Sequence, residues 1–308
     1  MSALTLELRA KPDQRLDLSP LTPAALAGLK PKDIQALGIG TTREAVTVGD
    51  VFKLKGTEAA KLRFLDTDAR CDRIGQGLTE GEIVVDGDAG AYLGSKMRAG
   101  KIAVSGSAGV LAGSSMRGGM IDIAGNAGER AGGVAVGEAH GMRGGRLAIG
   151  GKAGALLGER MRRGLIIGRG GAGDYAAARM IAGTIRLKGR IGRWAGYGLR
   201  RGTLILDKEP KDLLATFGDC ATLDFNWLRL LDRQLKATDG RFRVGYRARR
   251  SPSAICLSLR APRPPSSASS ALTHDATASG RASPKARSSS TATPAPIAAR
   301  RCARARSR

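Results

Sequence analysis

Short apolar runs recur along the middle of the chain, each followed by glycine and other small residues. Ile102/Val104, Ile121/Ile123, Leu147/Ile149, Ile185/Leu187 and Leu204/Leu206 are apolar pairs two residues apart, the period of a strand that buries one face. The glycine after each run falls at Gly87, Gly106, Gly125, Gly151, Gly170 and Gly189, with spacings of 19, 19, 26, 19 and 19. A second series, Gly81, Gly100, Gly119, Gly145, Gly164, Gly183 and Gly202, is spaced by 19, 19, 26, 19, 19 and 19. Two registers therefore share one period and one insertion of seven residues near GGVAVGEAH (132–140). A coil of about 19 residues cannot bury its inward face alone, but stacked coils can. The pattern predicts an all-β core, a single-stranded parallel β-helix whose rungs lie about 4.8 Å apart without crossover helices. About six to seven coils are expected at that spacing. Left-handed β-helices advertise hexapeptide repeats, and this period is no multiple of six, so a right-handed helix is expected.

Each unit reads apolar-x-apolar-x-Gly-x-Ala-Gly-x-x-small-Gly-x-x-Met-Arg-x-Gly. The clearest copies are IVVDGDAGAYLGSKMRAG (83–100), IAVSGSAGVLAGSSMRGG (102–119) and LAIGGKAGALLGERMRRG (147–164). The six glycines from Gly87 to Gly189 are expected where φ is positive or where tight backbone stacking excludes a Cβ. Met97, Met116, Met142, Met161 and Met180 recur once per coil and are expected as an inward ladder, because methionine fills irregular gaps. Thioethers in a row could bind copper(I), but core packing accounts for them more simply. One residue on, Arg98, Arg117, Arg143, Arg162 and Arg200 form a column broken by Ile181. On a solvated edge it is either a plain turn or a docking stripe for an acidic subunit or a polyanionic ligand.

The flanks differ from the repeat. Leu4, Leu6 and Leu8 alternate with polar residues, as in a half-buried strand, and Thr22-Pro23 opens a short helix that Gly28 can close. KPKDIQALG repeats that device, and VTVGDVFKL (46–54) is expected as a strand kinked at Gly49. The open ends of a β-helix need caps. An N-terminal α/β cap is therefore placed at 1–62, the β-helix at 63–210, and a C-terminal helical cap at 211–245. The last segment, 246–308, is rich in Arg, Ser, Ala and Pro and is expected to be disordered, with the composition of a GC-rich gene read out of frame.

Composition narrows the functions. The formal net charge is +24, but residues 241–308 hold 14 Arg, one Lys and one Asp, so much of it belongs to the end of the chain. From Ser251 on there is no aromatic residue for base stacking and no recognisable module, so nucleic-acid binding is not expected. No apolar run approaches the ~20 residues of a membrane span, and the N-terminus lacks a signal core, which predicts a cytoplasmic protein. Four scattered cysteines without a CxxC pair exclude a disulfide frame or an iron–sulfur motif. His140 and His274 are the only histidines, and no Ser–His–Asp group or carboxylate pair can be assembled. Glycine runs such as Gly87–Gly90–Gly94 lack the helix that a dinucleotide site needs. No catalytic, cofactor-binding or metal residue is expected on this chain.

The glycine coil with its 19-residue period resembles the β-helical domain shared by the glutamate synthase large subunit and the C subunit of formylmethanofuran dehydrogenase. The flanks LDLSPLTPAALAGLKPKDIQALGIGTTREAVTVGDVFKLKG (16–56) and ATFGDCATLDFNWLRLLDRQL (215–235) look like the formylmethanofuran dehydrogenase C-subunit family, including its counterpart in bacterial formyltransferase/hydrolase complexes. The resemblance covers roughly residues 1–250. It implies a structural subunit in tetrahydromethanopterin-linked one-carbon metabolism, partnered by the other subunits of a complex that uses a methanofuran-like carrier. It assigns the chemistry to those other subunits. The alternative is a stand-alone glutamate-synthase-type domain that partners amidotransferase subunits.

Overall fold

The computed structural model describes residues 3–42, 45–207, 212, 214, 217–223, 246–251 and 254–259. The chain opens with strand β1 (Ala3–Leu8), in which Leu4, Leu6 and Leu8 are buried and their neighbours are not. A short strand, β2 (Leu16–Asp17), leads to helix α1 (Pro23–Leu26), where the Ala25 amide donates to Thr22 Oγ1 at 3.3 Å. Helix α2 (Pro31–Gln35) starts with the reverse exchange, the Lys30 amide donating to the Asp33 carboxylate. A third helix, α3 (Val48–Val51), occupies part of the segment expected as a kinked strand, which begins only at β3 (Phe52–Lys55). The Asp50 carboxylate takes both the amide and the hydroxyl of Thr47, at 2.8 and 2.7 Å, and this local cap outweighs the β-branched composition.

From there the chain winds. Strand β4 (Glu58–Thr67) is followed by a short β5 (Cys71–Asp72), which pairs with β2. Then come β6 (Glu82–Gly87), β7 (Lys101–Val104), β8 (Met120–Ile123) and β9 (Arg143–Ile149). The stack continues through β10 (Arg163–Gly168), β11 (Thr184–Leu187) and β12 (Thr203–Leu206). Except for β5, each strand from β4 to β12 pairs in parallel with the next, giving a solenoid of about eight turns. Leu62, Ile83, Ile102, Ile121, Leu147, Ile166, Ile185 and Leu204 share one register and are all buried. Burying each such aliphatic side chain stabilises the fold by about 1.5–3 kcal/mol. On a second wall Ala89, Ala108, Ala127, Ala153 and Ala172 bridge coil to coil. Outside, Asp88, Ser107 and Asn126 each accept the backbone amide one coil further on, at Ser107, Asn126 and Lys152.

The solenoid is longer than the glycine period suggests because the β4 coil belongs to it without the repeat's signature. Phe64 stands on the inward register there, and Leu78 lies 19 residues before Met97. Gly106, Gly125, Gly151, Gly170 and Gly189 answer to stacking rather than to positive φ. A Cβ on Gly106 would collide with the Gly87 carbonyl oxygen, and on the other four it would meet the backbone of the preceding coil at 2.5–2.8 Å. Of this series only Gly87 has a positive φ, at 120°.

Both ends of the ladder reverse direction. At the first end β1 continues parallel to β4, and β3 then pairs with β1 antiparallel. At the other end three strands follow: β13 (Gly218–Leu223), β14 (Tyr246–Ser251) and β15 (Ala254–Leu259). β15 adds to β12 in parallel, β14 runs antiparallel to β15, and β13 antiparallel to β14. These strands differ from the expected helical cap over 211–245 and the expected structureless start of the tail at 246. The sequence AICLSL (254–259) alternates as a strand does, and the free edge of β12 supplies its partner. Residues 224–245 and 260–308, which include the expected cap helix and the rest of the tail, lie outside the described residues.

Candidate functional site

After each strand the chain makes a tight turn in which every second residue is left-handed. In the second coil these are Tyr92, Gly94 and Lys96, with φ of 61°, 56° and 58°. Their amides alternate in direction: Tyr92 donates to Val110 above, Gly94 to Ile74 below, and Lys96 to Ser114 above. The residues that alternate with them, Leu93, Ser95 and then Met97, are buried. Later coils repeat the geometry at Leu156, Gly158 and Arg160 and again at Tyr175, Ala177 and Arg179. Non-glycine residues in this region cost about 1–2 kcal/mol each, and the coil-to-coil hydrogen bonds hold them there.

This turn places the predicted columns on opposite sides of one wall. Met97, Met116, Met142, Met161 and Met180 are all fully buried. Each methyl reaches under the next coil, so a Cβ on Gly119 would lie 2.5 Å from Met97 Cε, and one on Gly145 2.7 Å from Met116 Cε. Arg98, Arg117, Arg162 and Arg200 are exposed, while Arg143 is half-buried. The structure thus brings the arginines onto one face, interrupted by Ile181. Two residues before the column runs a second file of turn residues, Lys96, Ser115, Arg160 and Arg179.

The seven-residue insertion folds over this face. Ser115 Oγ donates to the His140 carbonyl at 2.8 Å and accepts the Ala135 amide at 3.1 Å. That anchor sets Glu138 between Lys96, at 3.3 Å, and Arg143, at 3.5 Å. Beyond the insertion lies a cleft of about 750 Å³, lined by Ala139, Arg160, Arg179, Ile181, Tyr197, Gly198, Arg200 and Leu214. Among the described residues no carboxylate pairs with Arg160, Arg179 or Arg200. Tyr197 meets Tyr175 edge-on at 5.9 Å, and Tyr175 stacks on Trp194 at 4.9 Å. The Arg193 guanidinium covers Trp194 at 4.7 Å.

Reading by columns of methionine, glycine and arginine passed over Arg160, Arg179, Tyr175, Trp194 and Tyr197. The signal was present, because Arg160/Arg179 and Tyr175/Trp194 are each separated by one 19-residue period. Elsewhere little chemistry converges. Among the described residues no three His, Cys, Asp or Glu side chains gather where they could hold a metal ion. Burial pushes the Cys71 thiol up to about 11, so it stays protonated and is a poor nucleophile near neutral pH. No helix among the described residues is long and apolar enough to cross a membrane.

These features define a parallel β-helix protein with a packed interior and a cationic turn face. No family model matches the chain. It is 46% identical over 89 residues to the C subunit of the formyltransferase/hydrolase complex Fhc of Methylorubrum extorquens, covering 29% of this chain and 34% of that protein. It is 31% identical over 95 residues to the C subunit of the tungsten-containing formylmethanofuran dehydrogenase 2 of Methanococcus maripaludis, covering 30% of this chain and 35% of that one. The chain thus spans about a third of the length of the curated relatives it matches in sequence. A structural match is wider: a chain in the crystal structure of the formyltransferase/hydrolase complex (FhcABCD) from Methylorubrum extorquens with methylofuran. There the identity is 40% and the TM-score 0.79, over 83% of this chain and 100% of that one. The chain belongs to the C-subunit family of formyltransferase/hydrolase and formylmethanofuran dehydrogenase complexes. These relatives favour that family over the glutamate-synthase-type alternative.

Proposed function

We propose that this chain is the structural C subunit of a cytoplasmic formyltransferase/hydrolase complex in tetrahydromethanopterin-linked one-carbon metabolism. The observation that carries this reading is the match over the whole length of a chain from such a complex, at 40% identity. A rigid stack of hydrogen-bonded coils suits the role, because it presents long faces to partners with little reorganisation on binding. The formyl chemistry and the methanofuran-like carrier are assigned to the complex, and no cofactor to this chain. The exposed members of the arginine column, Arg98, Arg117, Arg162 and Arg200, are read as a docking stripe for acidic partner groups.

The test is purification of the tagged full chain from the organism that encodes it, followed by native mass spectrometry. Co-purification with formyltransferase and hydrolase subunits is expected, while the isolated chain should turn over no formyl substrate. A chain that travels alone, or with amidotransferase subunits, would sink the proposal.

A further inference from the structure

The turn face sets Glu138 between two of its cations in one half, and among the described residues it offers no such carboxylate in the other. In the coils up to the insertion, Glu138 reaches both Lys96 and Arg143, so the chain supplies its own anion. The next coils carry Arg160, Arg179 and Arg200 around the cleft, and no described residue plays the part of Glu138 there. Three guanidinium groups sharing one cleft repel one another, and an apposed carboxylate relieves this more effectively than water does.

The rim of the same cleft is aromatic at Tyr197, which joins Tyr175 and Trp194 in one cluster. Tyr197 is 47% exposed and Trp194 38% exposed, and both contact the Tyr175 ring. Soluble surfaces seldom leave tryptophan and tyrosine clustered in water beside arginine, and these three residue types are the ones most enriched where protein interfaces hold their binding energy. Ile181 stands in the arginine column at this point and adds an apolar floor. The two halves of the face therefore differ in chemistry: one has Glu138 set between Lys96 and Arg143, the other is apolar at its centre with guanidinium groups that no described carboxylate meets.

We infer that this cleft and its aromatic rim form the docking surface for an acidic segment of a partner subunit, with carboxylates set among apolar side chains. The partner's carboxylates take the positions that Glu138 takes in the earlier coils, bidentate on Arg179 and Arg200. Its apolar side chain packs on Trp194 and Tyr197. This inference rests on the subunit reading above and adds the place of contact and the chemistry of the partner.

The test uses the whole complex, with this chain co-expressed beside the other subunits of a formyltransferase/hydrolase complex. Association is followed by native mass spectrometry across a salt series, and carrier content by the furan absorbance of the purified complex. Charge reversal at Arg179→Glu with Arg200→Glu should weaken association at least about tenfold and flatten its salt dependence. Trp194→Ala should weaken it roughly five- to tenfold, with Tyr197→Ala as a second probe if that variant melts early. The same charge change at the distant exposed pair Lys53→Glu with Lys61→Glu should leave association within about twofold. Normal assembly of the cleft variants at every salt concentration would overturn the inference while leaving the subunit reading intact. Normal assembly with loss of the furan carrier would also overturn it, by making the cleft a site for a small polyanion. A wild-type chain that joins none of the subunits would overturn both readings.

Discussion

Met116 and Arg117 are neighbours in sequence and lie on opposite sides of one coil wall. Inside, each methionine is locked to the coil that follows, because its methyl fills the space a Cβ would need on Gly119, Gly145, Gly164, Gly183 or Gly202. A change at one position must then be matched 22 or more residues away. Outside, the corresponding position holds arginine in most coils and isoleucine at Ile181, with no steric partner that must change as well. The inner side specifies how coils stack. The outer side is left to specify what they meet.

The sharpest way to break this contrast is to place a charge on the inner side. Met116→Asp puts a carboxylate into a fully buried apolar column and should cost on the order of 4–5 kcal/mol, read as a fall in the denaturant midpoint. A smaller effect is expected from the partner of the methionine column. Gly119→Ala places a Cβ 2.5 Å from Met97 Cε on a backbone with φ of 81°, and should cost about 2 kcal/mol. If the double variant with Met97→Ala recovers part of that loss, the coupling between coils is confirmed; strict additivity would refute it. The smallest effect belongs to the outer side. Changing Arg98, Arg117 and Arg162 together to Gln should shift the stability of the isolated chain by less than about 0.5 kcal/mol. The same triple variant should weaken assembly with partner subunits; unchanged assembly and turnover would make the column a solvated turn.

Much of the fold was legible because the repeat carries its own proof. The 26-residue step appears in both glycine series at one place, so the insertion declares itself as a loop on a continuing stack. Other parts were hidden for physical reasons. The β4 coil uses Phe64 and Leu78 where later coils use smaller residues or methionine, so it shares the geometry without the spelling. Helix α3 depends on the side-chain cap between Thr47 and Asp50, which a count of β-branched residues does not register. Strands β14 and β15 fall in a segment whose average composition is polar and cationic, and averaging erased six alternating residues. The site was harder still. Left-handed φ at Tyr92, Arg160, Arg179 and Trp194 cannot be guessed from residue types that ordinarily avoid it, yet that backbone turns their side chains out onto one face.

The reversal of strand direction at both ends has a consequence for growth. A ladder of like rungs is a template for its own kind, since the last rung offers a newcomer the edge that it offered its own neighbour. Were the stack of parallel coils unbroken out to both of its edges, one molecule's final coil would accept another's first, and copies would add head to tail as an open filament. At the first end the edge strand β3 runs the other way, so an arriving coil meets hydrogen-bonding groups at the wrong spacing; at the far end the antiparallel β14 interrupts the parallel stack before β13. The number of coils is then set by how the ladder is terminated, and the molecule is a finite length cut from an architecture that could otherwise extend without limit.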